Sequence, residues 1–380
     1  MHFECTYCKA VIKNPITPVG LCSCGKPLSV RYEWENSNIG LKVDTNEESL
    51  WRYASVLPSV ENRVSLGEGF TPLIPISDKL FVKNETVNPT GSFKDRGMSL
   101  AISMAKEQQV ENICLPSAGN AGISAAAYCK EAGMNCHVFL PESIPKEYLS
   151  ESKRYSKHVQ LKGNTIADAA KEMIQQKQEN WFDISTLKEP FRVEGKKTLG
   201  YEIAEQLGWK FPDIIVYETG GGTGLIGMWK AFKELKSIGK VSGSLPRMVA
   251  AQSTGCAPVV DAFQKLDNKT EFWENSQTKA LGLNVPEPIG GYWILRILYE
   301  SNGIAIDVSE NELTILTEEF NSMLKINAGP EAGVVWGAYK KLRNIDWIDG
   351  NQSVVLFATG TERCKSVSYT HLTLPTKRIV

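Results

Sequence analysis

An α/β fold of two domains, with parallel-type sheets covered by helices, is the class this sequence predicts, and three observations predict it. From about residue 80 onward, short apolar runs alternate with helical patterns. The glycine-rich segments fall in the loops after the strand-like runs, where open parallel sheets place their ligands. The length, 380 residues with 42% apolar content, is enough for roughly two to three domains with sizeable cores.

The elements follow in order. Residues 1–30 form a short cysteine-bearing module, and WENSNIGLKVDTNEES (34–49) reads as a polar linker. LFVK (80–83) is a strand, Asp95 to Gln109 a helix, NICLP (112–116) a strand, AGISAAAYCKEAG (121–133) a helix and CHVFLP (136–141) a strand. Further on, DIIVY (213–217) is a strand and LIGMWKAFKELKSIG (225–239) a helix, with RMVAAQ (247–252) and SVVLFAT (353–359) as further strands. The expected division is a module at 1–30, a smaller α/β domain at 83–160 and a larger one built from 36–82 plus 161–361. Residues 362–380, ERCKSVSYTHLTLPTKRIV, carry neither helical nor strand periodicity and are expected to be a non-native tail.

Charge and composition exclude several classes. A net charge of −1 argues against a general nucleic-acid or membrane surface. No run approaches the roughly 18 apolar residues of a membrane span. The start, MHFECTYCKA, lacks a basic stretch followed by an apolar one, so no secretory signal is expected. Nine cysteines, an odd number without an export signal, point to a reducing cytoplasm rather than a disulfide framework.

Three loops carry the chemistry. ETGGGTGLIG (218–227) runs from a strand into a helix and supplies Gly220, Gly221, Gly222, Thr223 and Gly224. Glycines permit close backbone approach, and the free N–H groups at a helix start suit an anion such as a phosphate. Alone the cluster would equally be a flexible turn; the strand before it and the helix after it favour the phosphate site. It is not a P-loop, because no Gly-Lys-Ser/Thr follows. SAGNAG (117–122) also leads into a helix. Its amides could hold a carboxylate and Asn120 could reach a ring oxygen, or the segment is an N-cap with a small-residue packing face. NPTGSFKDRG (88–97) sets Lys94 just past a tight turn, with Ser92 as N-cap. A positive helix end, the neighbouring Arg96 and burial beside Phe93 would each lower the lysine pKa, as an imine-forming amine requires. The alternative is an ordinary first-turn lysine paired with Asp95.

Cys5, Cys8, Cys22 and Cys24 form two close pairs, an arrangement suited to tetrahedral zinc, although the second pair is C-x-C rather than C-x-x-C. Such a site would be a folding staple remote from the chemistry; the alternative is four reduced thiols without metal. Cys114, Cys129, Cys136 and Cys256 read as buried small hydrophobes, and His137 as a core residue.

Taken together, NPTGSFKDRG, SAGNAG, RVEGKKTLGYE (192–202), ETGGGTGLIGMWKAF (218–232) and VLFATG (355–360) occur in the order seen in the threonine-synthase-like group of the fold type II, tryptophan-synthase β-like pyridoxal-phosphate enzymes. SLGEGFTPL (65–73) and GPEAG (329–333) look like further marks, and the resemblance spans about residues 50 to 361. It implies a cofactor in an interdomain cleft. Lys94 would hold pyridoxal phosphate, Asn120 would bond the ring's 3-oxygen, Gly220 to Gly224 would cradle the phosphate, and Thr359 would face the pyridine nitrogen. The loop with Ser117, Ala118 and Ala121 would take the substrate carboxylate. Arg192 and Lys197 would take a substrate phosphate, with Glu194 and Thr198 beside them. The implied reaction converts O-phospho-L-homoserine and water to L-threonine and phosphate. Similar N-terminal zinc ribbons occur in the group, and relatives suggest a homodimer acting on a small amino-acid substrate. Two alternatives use the same residues: dehydration of threonine or serine, or a β-replacement. A third is a binding protein that keeps the fold without catalysis. Three departures stand out: Ala118 and Ala121 replace common hydroxyls, Glu218 replaces a common proline, and the stretch after Gly360 differs from the group's.

Overall fold

The computed structural model describes residues 1–13, 15, 18–36 and 40–363. Two sheets carry the architecture. The first has six strands in the order Ile304–Val308, Arg247–Ser253, Ile214–Glu218, Val354–Ala358, Leu80–Asn84, Leu73–Pro75, all parallel except the last pair. The second has four parallel strands in the order His158–Leu161, Asn135–Leu140, Asn112–Pro116, Trp181–Asp183. The central strands Ile214–Glu218 and Val354–Ala358 are buried along their whole length, which is why they read as unbroken apolar runs rather than alternating ones. The α/β class is therefore as the periodicity indicates. The small sheet, however, takes its edge strand Trp181–Asp183 from beyond residue 160, where the expected smaller domain ended.

Two other expectations change. The described parts of the 34–49 stretch are anchored: Trp34 stacks on Tyr32 at 4.8 Å, and Leu41 and Val43 pack against the cluster of Tyr53 and Tyr201. Glu362 and Arg363, set outside the fold in the sequence reading, are packed. The Glu362 N–H donates to the Asn327 carbonyl at 2.9 Å, and the Arg363 guanidinium reaches Asn120 and the Thr90 carbonyl. The remaining residues of the expected tail, 364–380, lie outside the described residues.

The N-terminal module is a three-stranded antiparallel sheet with His2–Cys5 between Val11–Ile12 and Leu28–Arg31. Phe3, Leu28 and Val30 pack on Leu100, Met104 and Phe191, with the Phe3 and Phe191 rings edge-to-face at 5.7 Å. Burying one such aromatic contributes about 1.5–3 kcal/mol. At its tip the four sulfur atoms of Cys5, Cys8, Cys22 and Cys24 lie within 4.8 Å of one another. The other described cysteines, Cys114, Cys129, Cys136 and Cys256, are buried.

Beneath the module two helices cross: Lys94–Glu107 and Phe191–Gln206. The crossing is backbone against backbone. A Cβ at Gly195 would stand 2.0 Å from the Arg96 carbonyl oxygen, so a side chain there would force the helices apart. This contact sets Lys94 beside the first turns of Phe191–Gln206.

Candidate active site

The cleft lies beyond the carboxyl ends of Ile214–Glu218 and Val354–Ala358, as expected for a ligand site in a parallel sheet. Lys94, Asn120, Arg192, Glu218, Gly220 through Gly224, Glu331 and Thr359 line it. Lys94 and the glycine loop, 126 or more residues apart in sequence, therefore face one another across one cavity.

Lys94 is the first residue of its helix and keeps part of its surface open to the cleft. Its Nζ lies 3.9 Å from the centroid of the Phe93 ring, and among the described residues no carboxylate pairs with it. Burial and the Arg192 guanidinium pull its pKa down to about 8, against the pull of Glu331 and Glu218. Arg96 does not act on Lys94, because Glu85 and Glu202 neutralise it; Arg192 supplies the repulsion instead. Ser92 is not the N-cap: its hydroxyl has no hydrogen-bond partner among the described residues. Asp95 turns away from Lys94 and accepts from the Thr90 N–H at 2.6 Å and from the hydroxyls of Thr90 and Ser124. The reading of Lys94 as an ion-paired surface residue thus fails on geometry.

The glycine loop opens the helix Thr223–Ser237. Gly222 is its N-cap at φ 76°, a left-handed conformation, and offers no side-chain cap. A Cβ there would also lie 2.4 Å from Ile294 Cδ1. The helix end is thus left open for an outside acceptor.

Arg192 lines the cleft from the first turn of Phe191–Gln206. It is buried, one NH donates to the Ile184 carbonyl at 2.7 Å, and its Nε has no partner among the described residues. Lys197 and Glu194 do not join it. Lys197 is held between Glu194 at 2.9 Å and Glu234 at 3.0 Å, in a buried cluster with Lys230, Tyr32 and Tyr201 on the opposite side of the helix. Thr198 also faces away, donating to the Gly195 carbonyl and accepting from Arg96. Helical geometry decides this: Lys196, at i+4, shares the face of Arg192, and Lys197 does not. Lys196 Nζ donates to the Thr223 hydroxyl at 2.7 Å, at the glycine loop itself.

The 117–122 loop contributes Asn120 to the cleft lining, but not Ser117, Ala118 or Ala121. The Ser117 hydroxyl is used inside the loop, accepting from the Gly119 and Gly122 N–H groups. The Asn120 side-chain oxygen accepts from Arg363 Nε at 3.0 Å.

Glu218, unexplained by sequence, has a physical account. Its Oε1 accepts from the Thr359 N–H at 3.3 Å and its Oε2 has no partner among the described residues. Burial pushes its carboxyl up to about 8, with Glu331 adding to the rise. At neutral pH the group is mostly a neutral acid and does not repel an anion in the neighbouring loop. Glu331, from the GPEAG segment, is half-buried with its carboxyl raised by desolvation and accepts from the Gly282 N–H at 2.8 Å. Together these residues suit a ligand with an anionic end for the open helix terminus and a carbonyl that a weakly basic amine can capture. Pyridoxal phosphate has both.

Comparison with known proteins agrees. The family model described as pyridoxal-phosphate dependent enzyme matches residues 64–360. The chain belongs to that family of pyridoxal-phosphate dependent enzymes. Within it, the threonine synthase of Methanocaldococcus jannaschii is 33% identical over 89% of this chain and 87% of its own length. The threonine synthase of Methanosarcina acetivorans is 30% identical over 94% and 91%. Among solved structures, the processed form of threonine deaminase isoform 2 from Solanum lycopersicum superposes with a TM-score of 0.67 at 18% identity, covering 85% of this chain and 91% of that one, a likeness of fold.

Proposed function

We propose that this chain is a threonine synthase, converting O-phospho-L-homoserine and water to L-threonine and phosphate. The observation that carries the reading is the cleft in which Lys94, a weakly basic amine without a carboxylate partner among the described residues, faces the open helix end at Gly220–Gly224. The similarity to curated threonine synthases over most of both chains supports the substrate. Pyridoxal phosphate, when bound, supplies an electron sink for the negative charge left at a substrate carbon that has lost its proton. Lys94 would anchor it, Gly220 to Gly224 and Thr223 would hold its phosphate, and Asn120 and Thr359 would contact its ring.

The residues divide the work. Lys94 Nζ, kept poorly basic by burial and Arg192, takes the proton from the substrate Cα and then one from Cβ; once phosphate has left, one proton is delivered to Cγ, which becomes the methyl carbon, and later one is returned to Cα. Phosphate leaves Cγ with the electron pair of its C–O bond. Water supplies the hydroxyl at Cβ, and its remaining proton balances the one taken up by the departing phosphate. Arg192, with an uncommitted buried Nε, orients an anionic group of the substrate. A dehydratase has no phosphate to hold, so a buried guanidinium in the cleft whose Nε has no partner among the described residues favours the phosphorylated substrate. Purified protein incubated separately with O-phosphohomoserine, homoserine, threonine and O-phosphoserine is expected to release phosphate and threonine from the first alone. Keto acid and ammonia from threonine would instead identify a dehydratase.

The four clustered sulfurs at the N-terminus complete the reading as a structural zinc site, in a cytoplasmic homodimer. The compartment rests on the cysteine usage of the sequence and the dimer on the resemblance. Metal analysis is expected to give about one zinc per chain. Chelation or Cys22→Ser is expected to lower the melting temperature while leaving the visible absorption of bound cofactor in place below the new transition. Metal-free protein with an unchanged melting temperature would rule zinc out.

A further inference from the structure

Two adjacent lysines of the helix Phe191–Gln206 have opposite surroundings. Lys197 is neutralised by two carboxylates. Lys196 is fully buried, yet among the described residues no carboxylate pairs with it. Its near neighbours include two further cations, Lys94 and Arg192. The carboxylate nearest in effect, Glu189, is already committed to the N–H groups of Phe191 and Arg192, each at 2.7 Å. A buried cation without a counter-charge is costly unless an anion from outside completes it.

The direction of Lys196 indicates where that anion would sit. Its Nζ donates to the hydroxyl of Thr223, the first residue of the helix that the glycine loop opens. It also lies 4.8 Å from the Phe93 ring centroid, the ring that Lys94 Nζ approaches to 3.9 Å. A second observation is independent of the helix end: the buried Nε of Arg192, one turn away on the same face, has no partner among the described residues. Burial, then Arg192 and Lys94, hold the Lys196 amine well below its ordinary pKa, so an arriving dianion would draw a proton onto it.

We propose that Lys196 and Thr223 form a phosphate clamp at the mouth of the glycine loop, which takes a phosphate monoester. The assignment rests on the pyridoxal-phosphate reading of the cleft. The monoester is either the phosphate of the cofactor or that of a phosphorylated substrate, and the chemistry of recognition is the same for both.

The test uses the full chain, stripped of cofactor and titrated with pyridoxal phosphate or pyridoxal, following the visible absorption of lysine-bound cofactor. Lys196→Met keeps length and bulk but removes the charge. A lost charged hydrogen bond is expected to weaken pyridoxal phosphate roughly 10- to 100-fold. Pyridoxal, which lacks the phosphate, is expected to bind both proteins equally, and Lys196→Arg is expected to restore most of the loss. An unchanged cofactor affinity with a raised KM for O-phosphohomoserine would assign the clamp to the substrate's phosphate. Inorganic phosphate as probe separates the clamp from the functional reading: it is expected to raise the melting temperature of the cofactor-free wild type and not that of Lys196→Met, whatever the enzyme turns over. Should Lys196→Met fail to fold, Thr223→Val removes the other half of the clamp and is read in the same way. Equal weakening of pyridoxal and pyridoxal phosphate, or no change in any arm, would show a packing role and overturn the proposal.

Discussion

Lys94→Ala is expected to lower turnover by about 10⁴-fold, the upper end of what one positioned acid–base group contributes, and to remove the visible absorption of lysine-bound cofactor in the same step. The two losses belong together because one nitrogen serves both purposes. Folding is expected to survive, since Lys94 makes no ion pair among the described residues and sits partly open to the cleft. Lys94→Arg is the sharper control: it keeps the positive charge and the stem but supplies no amine that becomes neutral near pH 8, and it is expected to be equally inactive. A pH series adds a second measurement. Only the neutral amine captures an aldehyde, and its pKa is about 8. The rate at which cofactor-free protein takes up pyridoxal phosphate is therefore expected to rise with pH up to about 8 and then level off. An ordinary lysine would keep rising for roughly two further units. Turnover that survives Lys94→Ala, or an uptake rate still climbing at pH 10, would remove Lys94 from the chemistry.

The sequence reveals the site in proportion to how local its signals are. Lys94 in NPTGSFKDRG and the loop 218–227 are each flanked by a strand and a helix whose patterns are legible, and both meet in the cleft. The helix Phe191–Gln206 is the contrary case. Residues Phe191 to Ala204 are all buried, on every face, so no apolar stripe alternates with a polar one. Its charged residues look like a solvated surface. In the fold they are paired internally: Glu194 and Lys197 toward Lys230 and Glu234, Glu202 toward Arg96 and Lys83. Without the helix assignment there was no reason to prefer Lys196 over Lys197 as the companion of Arg192; with it, the i,i+4 spacing chooses Lys196. The strand Trp181–Asp183 is illegible in the sequence for a different reason. Three residues are too few to show a period, and only pairing with Asn112–Pro116 defines them. Glu218 could not be judged from sequence, because its charge state is set by a burial that only the fold creates.

Arg96→Met is expected to destabilise the fold by about 3–5 kcal/mol, the cost of leaving partners of a buried ion network uncompensated. Arg96 is fully buried. Its Nε and NH2 bind the two oxygens of Glu85 at 2.6 and 2.7 Å, and its NH1 and NH2 bind those of Glu202 at 2.5 and 2.7 Å. Lys83 Nζ meets Glu202 at 2.8 Å, so the two cations and two anions balance. The network ties the strand Leu80–Asn84 and the helix Phe191–Gln206 to the helix that starts at Lys94. Removing Arg96 leaves Glu85 and Glu202 against Lys83 alone. The melting temperature is expected to fall by on the order of 10 °C, with weaker cofactor binding because the turn carrying Lys94 loses its anchor. The double variant Arg96→Met, Glu202→Leu removes one charge of each sign and is expected to recover part of the loss, leaving the Lys83–Glu85 attraction. Acid gives an independent reading. Burial works against the Glu202 charge, yet Arg96 and Lys83 hold its carboxyl down to about 2. A depressed carboxyl stabilises the fold above its unfolded pKa of roughly 4.3 and loses that contribution as pH falls from there toward 2. Wild-type stability is therefore expected to drop across that window, and Arg96→Met, in which the Glu202 carboxyl is no longer held down so far, to drop less steeply. A variant that melts with the wild type and loses stability in acid along the same curve would show that the helix start is held by packing rather than by charge.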